Sequence, residues 1–378
     1  MKKIISGLLA GALTLLLALP ARAESLAVEA GACLLMEKTT GEVLYAVNEH
    51  QPLEPASVTK IMTILLVMEA IDAGTLSYDD MVTASAYACS MGGSQIWLKE
   101  NEQMSVEEML KAVCVASAND CSVALAEHLA GSAEAFVEKM NQRAGELGMN
   151  DTNFLNPTGL PTQGHVTSAY DIALMSRELI LRHPDIRRFT TIWMDTLRGG
   201  EFGLSNTNKL IRFYQGATGL KTGSTDSALY CLSATAERDG MELIAVILKA
   251  PTSTQRFEGA KTLLNYGFAA YSLAQAQPPE PLTPIPVELG DAPAVTPKLQ
   301  GDAAILAPKE KVNAMEVQVE LEEKLSAPVE EGQQVGRMVV TSGGEVLTEL
   351  PLVADRAVAR LTYWQILERC LRRAFLGG

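Results

Sequence analysis

The sequence lacks the motifs that usually bind a metal ion. It contains no Cys-x-x-Cys and no His-Glu-x-x-His pattern, and its 4 histidines are scattered over 378 residues. Zinc sites need Cys and His ligands at short, regular spacings. We therefore predict no zinc site and expect the protein to work without a cofactor.

Positive charge and long apolar runs are also scarce. The chain has 31 Lys and Arg against 45 Asp and Glu, a formal net charge of −14. Proteins that bind nucleic acid present basic surfaces, so this composition argues against nucleic acid as a partner. After residue 23, no stretch approaches the ~18 apolar residues of a membrane-spanning helix.

The first 23 residues have the composition of an export signal peptide. Two lysines precede an apolar run over residues 4–19, and Ala-Arg-Ala at 21–23 matches a cleavage site. A membrane anchor is the alternative, but Pro20 and the small residues favour cleavage. We expect an exported protein whose mature chain begins near Glu24.

Cysteines in an exported chain raise the question of disulfide bonds. Cys114 and Cys121 lie seven residues apart on one predicted helix, about 10 Å at 1.5 Å per residue, which is too far for a bridge. Cys33, Cys114 and Cys231 lie within apolar runs. We predict that most of the cysteines are free thiols that act as small buried hydrophobic residues.

The stretch from Pro55 to Ile71 is the main feature of the chain. Proline is tolerated in the first turn of a helix and Gly74 can end one. After Lys60 the stretch is apolar on nearly every side, as in buried helices. Ser57 lies in the predicted first turn, where free backbone N–H groups and the helix dipole favour negative charge.

Ser57 and Lys60 are spaced as a nucleophile and its base. Side chains three residues apart share a helix face, and a lysine at a partly dry helix start can lose its proton near neutral pH. A neutral amine then activates the hydroxyl. A Ser-x-x-Lys also arises by chance about once in such a chain, so the alternative is a solvated lysine beside a helix-start serine.

Ser117 and Asn119 are further candidates. They lie between a helix predicted from the capping box at 105–108 to roughly Ala116 and a second predicted helix over 121–130. They cannot share a face of one regular helix, but a break between two helices would let both point into a cleft. The alternative is an N-terminal cap for the second helix.

Two hairpins are predicted, one from short strands over 32–36 and 43–46 and one over 229–248, whose turn contains Asp-Gly. A Lys-Thr-Gly triplet precedes the second hairpin. The triplet therefore belongs to an antiparallel strand, with Lys221 and Gly223 on one side and Thr222 on the other. Glycine allows a backbone or a substrate to approach closely. The alternative is an ordinary edge strand.

Together these motifs resemble those of the penicillin-recognising serine enzymes. They occur once each, in this order: Ser57-x-x-Lys60, Ser117-x-Asn119 and Lys221-Thr222-Gly223. The Asn-Pro-Thr-Gly-Leu turn at 156–160 and Arg256-Phe257 also fit. We predict that Arg256 follows the last strand of the domain directly and that an amphipathic helix over 257–273 closes it. The chain looks like a D-alanyl-D-alanine carboxypeptidase of the low-molecular-weight penicillin-binding class, in which Ser-Ala-Asn replaces the Ser-Asp-Asn frequent in related β-lactamases.

The resemblance implies a role for each motif. Ser57 would attack the carbonyl between the two terminal D-alanines of a peptidoglycan stem peptide, and Lys60 would take its proton. Ser117 would pass a proton to the departing amine, helped by Lys221, and Asn119 would hold the substrate amide. β-Lactams would trap the same serine.

The remaining implied roles concern the substrate's charged groups. The backbone N–H groups of Ser57 and Ser224 would form an oxyanion hole, beside Gly223 of the triplet. The terminal carboxylate would be held by three side chains, those of Lys221, Thr222 and Arg256. The enzyme would act at the extracytoplasmic face of the bacterial membrane or in the cell wall.

The resemblance and the composition predict the domain organisation. We expect an α+β catalytic domain of the β-lactamase/transpeptidase type, with an antiparallel sheet and helices, over 24–275. A proline-rich stretch over 276–298 would be a linker or the start of a second domain. A small all-β domain over 299–355 and a C-terminal amphipathic helix over 356–378 complete the chain.

The C-terminal helix has the composition of one that lies in a membrane interface. Its four arginines and one glutamate between residues 358 and 375 give a charge of +3. At 100° per residue, one face is apolar (Leu361, Trp364, Leu367, Leu371, Phe375) and the other polar (Gln365, Arg369, Arg372, Arg373). We expect it to bind a membrane surface; the alternative is a helix packed on the β-rich domain.

Two other functions are alternatives to the carboxypeptidase. A β-lactamase would need a glutamate that positions water, but Glu201 has the wrong spacing, and we expect it to be solvated in a loop over 195–208. A non-catalytic wall-binding protein is disfavoured because all three motifs are intact.

Overall fold

The computed structural model describes residues 26–376, and for residues 373–376 the backbone alone. The predicted export signal lies outside this range. The helices are α1 (Lys60–Asp72), α2 (Ala86–Cys89), α3 (Val106–Val115), α4 (Asn119–Ala130), α5 (Ala133–Glu146), α6 (Ala169–Arg182), α7 (Arg187–Thr190), α8 (Leu210–Phe213), α9 (Ser253–Ala270), α10 (Lys309–Asn313) and α11 (Tyr363–Leu376). Single 3-10 turns lie at Ala56–Thr59, here called the entry turn, and at Pro184–Ile186 and Arg198–Gly200.

The strands divide between the two predicted domains. Those of the first are β1 (Ala32–Glu37), β2 (Val43–Val47), β3 (Met81–Thr83), β4 (Gln103–Ser105), β5 (Met194–Leu197), β6 (Phe202–Ser205), β7 (Ala217–Thr225), β8 (Leu229–Arg238), β9 (Met241–Ala250) and β10 (Tyr271–Gln275). Those of the second are β11 (Ile285–Glu288), β12 (Ala294–Val295), β13 (Pro297–Leu299), β14 (Ala304–Pro308), β15 (Met315–Leu321), β16 (Leu325–Ser326), β17 (Gln334–Ser342) and β18 (Glu345–Ala354).

A five-stranded antiparallel sheet organises the first domain, in the order β2-β1-β9-β8-β7. α6 packs against β9 and β1, and α9 against β9 and β8. Both faces of β9 are buried because its residues alternate between two cores: Ile244 lies with α1, α3, α4 and α6, and Leu243 lies with α9. Such a strand is apolar throughout, and the predicted α+β class is confirmed.

The local predictions are largely confirmed. Both hairpins, β1–β2 and β8–β9, are present. Ser105 caps α3, its Oγ accepting a hydrogen bond from the Glu108 N–H at 3.2 Å. All described cysteines are free, and Cys33, Cys114 and Cys231 are buried, as predicted. Cys114 and Cys121 do not share one helix as predicted: they lie on α3 and α4, because the chain breaks at Ser117 between them. Short-range turn and capping chemistry therefore dictates these elements.

Two local predictions were wrong. The stretch 195–208 was expected to be a loop, but it contains most of the β5–β6 hairpin, because Leu197 and Leu204 are buried on one side of it. The helix that closes the domain begins at Ser253, four residues earlier than Phe257. Arg256 therefore lies within the helix rather than between strand and helix.

The second domain is all-β, as predicted. It contains a sheet in the order β13-β18-β17-β15 and a smaller one in the order β12-β11-β16. The proline-rich stretch 276–298 contains β11 and β12 and the start of β13, so it forms the start of this domain rather than a free linker. β10 pairs with β14, for example Leu273 with Leu306, which ties the two domains together.

Among the helices of the described range, none combines the length and the apolarity needed to cross a membrane.

Candidate active site

The hydroxyl of Ser57 and the amine of Lys60 lie together where the entry turn meets α1. Lys60 Nζ is 2.9 Å from Ser57 Oγ. The amine also donates a hydrogen bond to the Thr158 carbonyl at 2.7 Å. These two contacts hold an amine against a hydroxyl, which is the geometry of a general base and a nucleophile.

The environment of Lys60 favours its neutral form. The side chain is completely buried, and its two hydrogen-bond partners are neutral groups. Burial lowers the pKa of the Lys60 amine well below its usual range; the charge of Lys221 lowers it further, and the Asp120 carboxylate opposes both effects. An amine that is neutral at working pH can accept a proton from serine.

The turn that begins at Asn156 is built against the entry turn. Asn156 Oδ1 accepts hydrogen bonds from the N–H groups of Thr158 and Gly159, at 3.1 and 2.7 Å. Gly159 has φ +80°, and a Cβ there would stand 1.8 Å from the Ala56 carbonyl oxygen. Only glycine satisfies both demands, and the turn thereby directs the Thr158 carbonyl at Lys60.

The chain breaks between α3 and α4, and the break presents two unpaired polar groups. Ser117 has φ +64°, an uncommon conformation for a residue with a side chain. Its buried Oγ, like the buried Oδ1 of Asn119, has no hydrogen-bond partner in the described part of the chain. Burying a polar group without a hydrogen bond costs free energy, so a substrate that forms hydrogen bonds with these two groups binds more tightly.

The predicted alternative, a cap for α4, does not describe this break. The N-cap of α4 is Ala118, which has no side-chain capping bond. Asn119 Nδ2 instead donates to the Gly92 carbonyl at 2.7 Å. The carboxamide is therefore held by a neighbouring loop, with its oxygen left free.

β7 forms the opposite wall of the site. A Cβ on Gly223 would lie 2.8 Å from both the Pro55 carbonyl oxygen and the Ser57 nitrogen. The glycine thus lets β7 and the entry turn meet backbone to backbone. Ser224 follows directly on β7, so its backbone lies near the Ser57 amide.

Lys221 and Thr222 are buried on β7. Lys221 Nζ donates to the Thr222 carbonyl at 3.0 Å, and Thr222 Oγ1 donates to Thr207 Oγ1 at 2.7 Å. Burial lowers the pKa of the Lys221 amine to about 7; the Cys114 thiol raises it and Arg256 lowers it. A lysine that titrates near neutrality can hold an anion or move a proton.

Arg256 projects from α9 towards β7. Its Nη1 donates to the carbonyls of Gly223 and Cys231, at 3.1 and 3.3 Å, and its Nη2 donates to Ser253 Oγ at 3.2 Å. A guanidinium has five N–H groups, so the N–H on Nε and one on Nη2 remain. The buried Nε has no partner in the described residues.

Sequence reasoning missed His165, which supports the entry turn from behind. His165 Nδ1 accepts from the Leu155 N–H at 3.1 Å, and Nε2 lies 2.8 Å from Thr59 Oγ1. The neutral ring therefore carries its proton on Nε2 and donates it to Thr59. Burial lowers the pKa of His165 to about 4. A single histidine far along the chain carried no motif that could have revealed this contact.

Asp120 was also missed. Its buried carboxylate accepts hydrogen bonds from the N–H groups of Ile96 and Leu98, both at 3.1 Å. It therefore ties the loop after α2 to the start of α4. Its position beside Asn119 was a signal, but the pattern indicated a capping residue.

The sequence matches two known families. Residues 20–252 match the family described as D-alanyl-D-alanine carboxypeptidase, and residues 279–360 match the C-terminal domain of penicillin-binding protein 5. The D-alanyl-D-alanine carboxypeptidase DacF of Bacillus subtilis (strain 168) is 41% identical to this chain over 98% of each protein.

Solved structures are also similar to this one. Penicillin-binding protein 5 from Haemophilus influenzae has a TM-score of 0.79 at 31% identity, covering 88% of this chain and 98% of that one. Penicillin-binding protein D2 from Listeria monocytogenes in the ampicillin-bound form has a TM-score of 0.60 at 34% identity, covering 65% of this chain and 100% of that one.

Proposed function

The chain belongs to the D-alanyl-D-alanine carboxypeptidase family, and from that premise we propose how its residues perform the reaction. The protein is a serine-type carboxypeptidase that removes the terminal D-alanine from peptidoglycan stem peptides, and penicillin inhibits it covalently. The observation that carries the residue assignment is the 2.9 Å contact between Ser57 Oγ and the buried amine of Lys60.

In the first step, Ser57 Oγ attacks the carbonyl carbon between the two D-alanines while neutral Lys60 takes its proton. The Thr158 carbonyl keeps the amine in place. The backbone N–H groups of Ser57 and Ser224 stabilise the negative oxygen of the tetrahedral intermediate, an effect typically worth about 3–4 kcal/mol per donor.

In the second step, the C–N bond breaks and D-alanine leaves. Ser117 passes a proton to its amine, helped by Lys221. This role is consistent with a hydroxyl that is buried and unpaired in the described residues. Lys60 then passes the proton that it took from Ser57 to Ser117, which restores the Ser117 hydroxyl and the neutral amine. Water next attacks the ester carbonyl and gives a proton to Lys60, the bond from the carbonyl to Ser57 Oγ breaks, and Lys60 returns that proton to Ser57 as the shortened peptide leaves.

Substrate binding uses both walls of the site. Asn119 bonds the amide on the acyl side, for which its Oδ1 is free. Lys221, Thr222 and Arg256 hold the terminal carboxylate, and the two remaining N–H groups of Arg256 suit a two-oxygen anion. Gly223 keeps β7 close enough for these contacts.

The β-lactamase alternative receives no support from Glu201. This residue is exposed at the turn between β5 and β6. A group that positions water for fast release of penicillin must instead lie against the acylated serine. We therefore expect the ester formed with penicillin to be long-lived.

The test is mass spectrometry after penicillin treatment, with hydrolysis of a peptide ending in D-Ala-D-Ala measured in parallel. We expect a stable adduct on the peptide containing Ser57, and S57A should lose both the adduct and D-alanine release. An adduct elsewhere, or full activity of S57A, would falsify the assignment. Rapid turnover of penicillin would support the β-lactamase alternative. No reaction with either penicillin or the peptide would support a non-catalytic wall-binding protein.

We further propose that α11 binds the membrane surface. Trp364 is 74% and Leu371 49% exposed, whereas Arg369 donates to the carbonyls of Gly290 and Asp291, at 3.0 and 3.2 Å. Part of the cationic face thus contacts the second domain and the apolar side faces outward, as membrane binding requires. Phe375 and Arg373 lie outside the residues whose side chains are described.

Flotation with anionic vesicles tests this proposal. The mature full-length protein should float, whereas a chain without residues 356–378 and the full-length variant W364S/L371S should not. Activity on a free peptide should be equal in all three. Equal flotation of all forms, or flotation of none, would remove the membrane claim and leave the catalytic one intact.

Export is the last part of the proposal. Residues 1–23 would direct the chain out of the cytoplasm, so that the enzyme acts at the extracytoplasmic face of the membrane. The N-terminus of protein recovered from that compartment should lie near Glu24, and an intact Met1 there would contradict cleavage.

A further inference from the structure

An aromatic pair, of which one ring is exposed and the other half-buried, lies beside the site and takes no part in the reaction described above. The Trp97 side chain is 65% exposed and packs edge-on against Phe202, with ring centroids 5.8 Å apart and planes at 65°. We call these two rings the aromatic platform. The exposed indole and the half-buried phenyl ring behind it form a larger apolar patch than a single surface side chain, and such patches mark binding surfaces.

The backbone holds Trp97 outward in a strained conformation. Its φ is +55°, which a bulky residue rarely adopts. Its neighbours Ile96 and Leu98 are buried, and their N–H groups both donate to the Asp120 carboxylate at 3.1 Å. Asp120 adjoins Asn119, so the start of α4 both presents Trp97 and places a substrate-binding amide.

Arg198 contacts both the loop that carries Trp97 and the ring of Phe202. Its Nη1 donates to the Ile96 carbonyl at 2.9 Å, and its Nε donates to Glu102 at 2.8 Å. Its guanidinium lies over the Phe202 ring, 5.5 Å from the centroid. The loop that carries Trp97 and the hairpin that carries Phe202 are thus fastened before any ligand arrives, which lowers the cost of binding.

The proposed function places the acyl side of the substrate beside Asn119, on the side of the site where the platform lies. Its terminal carboxylate lies at Lys221, and the acyl side runs past Asn119. The Asn119 N–H donates to the Ser94 carbonyl at 2.7 Å, and the Cα of Trp97 is at most about 11 Å further along this loop. The four residues between the scissile carbonyl and the sugar that bears the stem peptide span about 14 Å when extended, a length of the same order as the path from Asn119 to Trp97.

We propose that Trp97 and Phe202 bind the amino-sugar of the glycan strand to which the stem peptide is attached. The apolar face of a pyranose ring can stack on the exposed indole, which offers a large, rigid area with few rotatable bonds. This inference rests on the proposed function, because the direction of the peptide follows from it. It predicts that the enzyme distinguishes a free stem peptide from one carried on sugar.

The experiment compares two substrates that differ in the sugar alone. One is a free pentapeptide ending in D-Ala-D-Ala, and the other is the same peptide on the disaccharide of N-acetylglucosamine and N-acetylmuramic acid. W97A should lower kcat/KM about fivefold for the disaccharide substrate and leave the free peptide unchanged. W97F should retain most of the preference.

Phe213 supplies the matched control. It is also 65% exposed and packs edge-on against a tryptophan, Trp193, with centroids 6.0 Å apart, but it lies on α8. F213A should change neither rate. Loss of sugar preference in F213A as large as in W97A would mean that general surface hydrophobicity, rather than the platform, causes it.

The remaining outcomes separate this inference from the proposed function. Equal losses on both substrates in W97A, or no loss on either, would overturn sugar binding while leaving the carboxypeptidase assignment intact. Failure of the unmodified protein to release D-alanine from the free peptide would overturn the proposed function instead. Binding of the disaccharide alone to S57A, followed by saturation-transfer NMR, then decides the inference: W97A/S57A should lose it, and retained binding would overturn it.

Discussion

Both domains form ion pairs on their surfaces, but of the described residues only the catalytic domain also buries lysines. In the second domain the cations lie on the surface in ion pairs, such as Lys311 with Glu345 at 2.7 Å and Arg337 with Glu320 at 2.7 Å. Exposed pairs of this kind contribute about 0–1 kcal/mol each. In these pairs both charged groups stay in contact with water.

The catalytic domain instead buries lysines beside neutral groups. Lys60 and Lys221 are at most 1% exposed, and their hydrogen-bond partners are a hydroxyl and carbonyl oxygens. A buried cation without a carboxylate is costly, and its pKa falls as a consequence. The comparison shows that lysines are buried where a neutral or titrating amine is useful, as at Lys60 and Lys221, whereas cations such as Lys311 and Arg337 remain exposed.

The strongest test of this contrast replaces one lysine of each kind with methionine. K60M should reduce the rate of penicillin acylation about 10³-fold or more, because the base is lost. Its thermal midpoint should stay equal or rise, because a buried amine has been removed. K311M should leave the rate unchanged and alter stability by less than about 1 kcal/mol. K60M acylating at the original rate would break the comparison.

A second pair of substitutions compares the backbone of the two domains. Gly159 and Gly301 have similar φ values, +80° and +87°, but a Cβ at Gly159 meets the Ala56 carbonyl at 1.8 Å, whereas one at Gly301 meets nothing within 4 Å. G159A should displace the entry turn and lower kcat/KM about 10²-fold. G301A should cost only about 1–2 kcal/mol, measured by denaturant unfolding. Similar effects of both would show that backbone strain alone, not contact with the site, matters.

Arg256 and Arg337 sharpen the contrast between a buried and an exposed arginine. R256A should lower kcat/KM about 10²-fold for a peptide with a free C-terminal carboxylate, because two charge-assisted hydrogen bonds are lost. R256A should lower kcat/KM far less for the C-terminal amide, which we expect to be a very poor substrate. R337A should affect neither. Equal losses on acid and amide would make Arg256 a purely structural residue.

The smallest expected effect is a pH dependence. Lys221, whose pKa is about 7, is charged below that pH, and the proposed function has this charge hold the carboxylate. As pH rises through 7 the charge is lost, so kcat/KM for the free acid should fall several-fold. K221R, always charged, should shift this alkaline limb to higher pH, while K324R on the exposed surface should leave the profile unchanged. If the alkaline limb of K221R stayed at the original pH, a group other than Lys221 would be responsible for it.

On the acid side, activity should fall as Lys60 gains a proton, because only the neutral amine accepts one from Ser57. H165N retains a side chain that can donate to Thr59. It should keep this acid limb, because His165, with a pKa of about 4, remains neutral over the working range.

The sequence by itself determined the elements that depend on near neighbours. The buried helix after Ser57, the hairpins, the cap at Ser105 and the break around Ser117 all follow from periodicity, turn residues and capping chemistry within a few positions. The spacing of Ser57 and Lys60 also placed the two side chains together, because positions three apart share one face.

Only the tertiary structure decided what surrounds those elements. The Thr158 carbonyl on Lys60, the His165 ring on Thr59 and the Asp120 carboxylate under Trp97 join segments that are distant in the chain or follow no periodic pattern. Their geometry depends on how loops pack against the sheet, and loops carry no repeating hydrophobic signal. For the same reason the lowered pKa of Lys60 could be anticipated in direction, but the burial that causes it is a property of the folded protein.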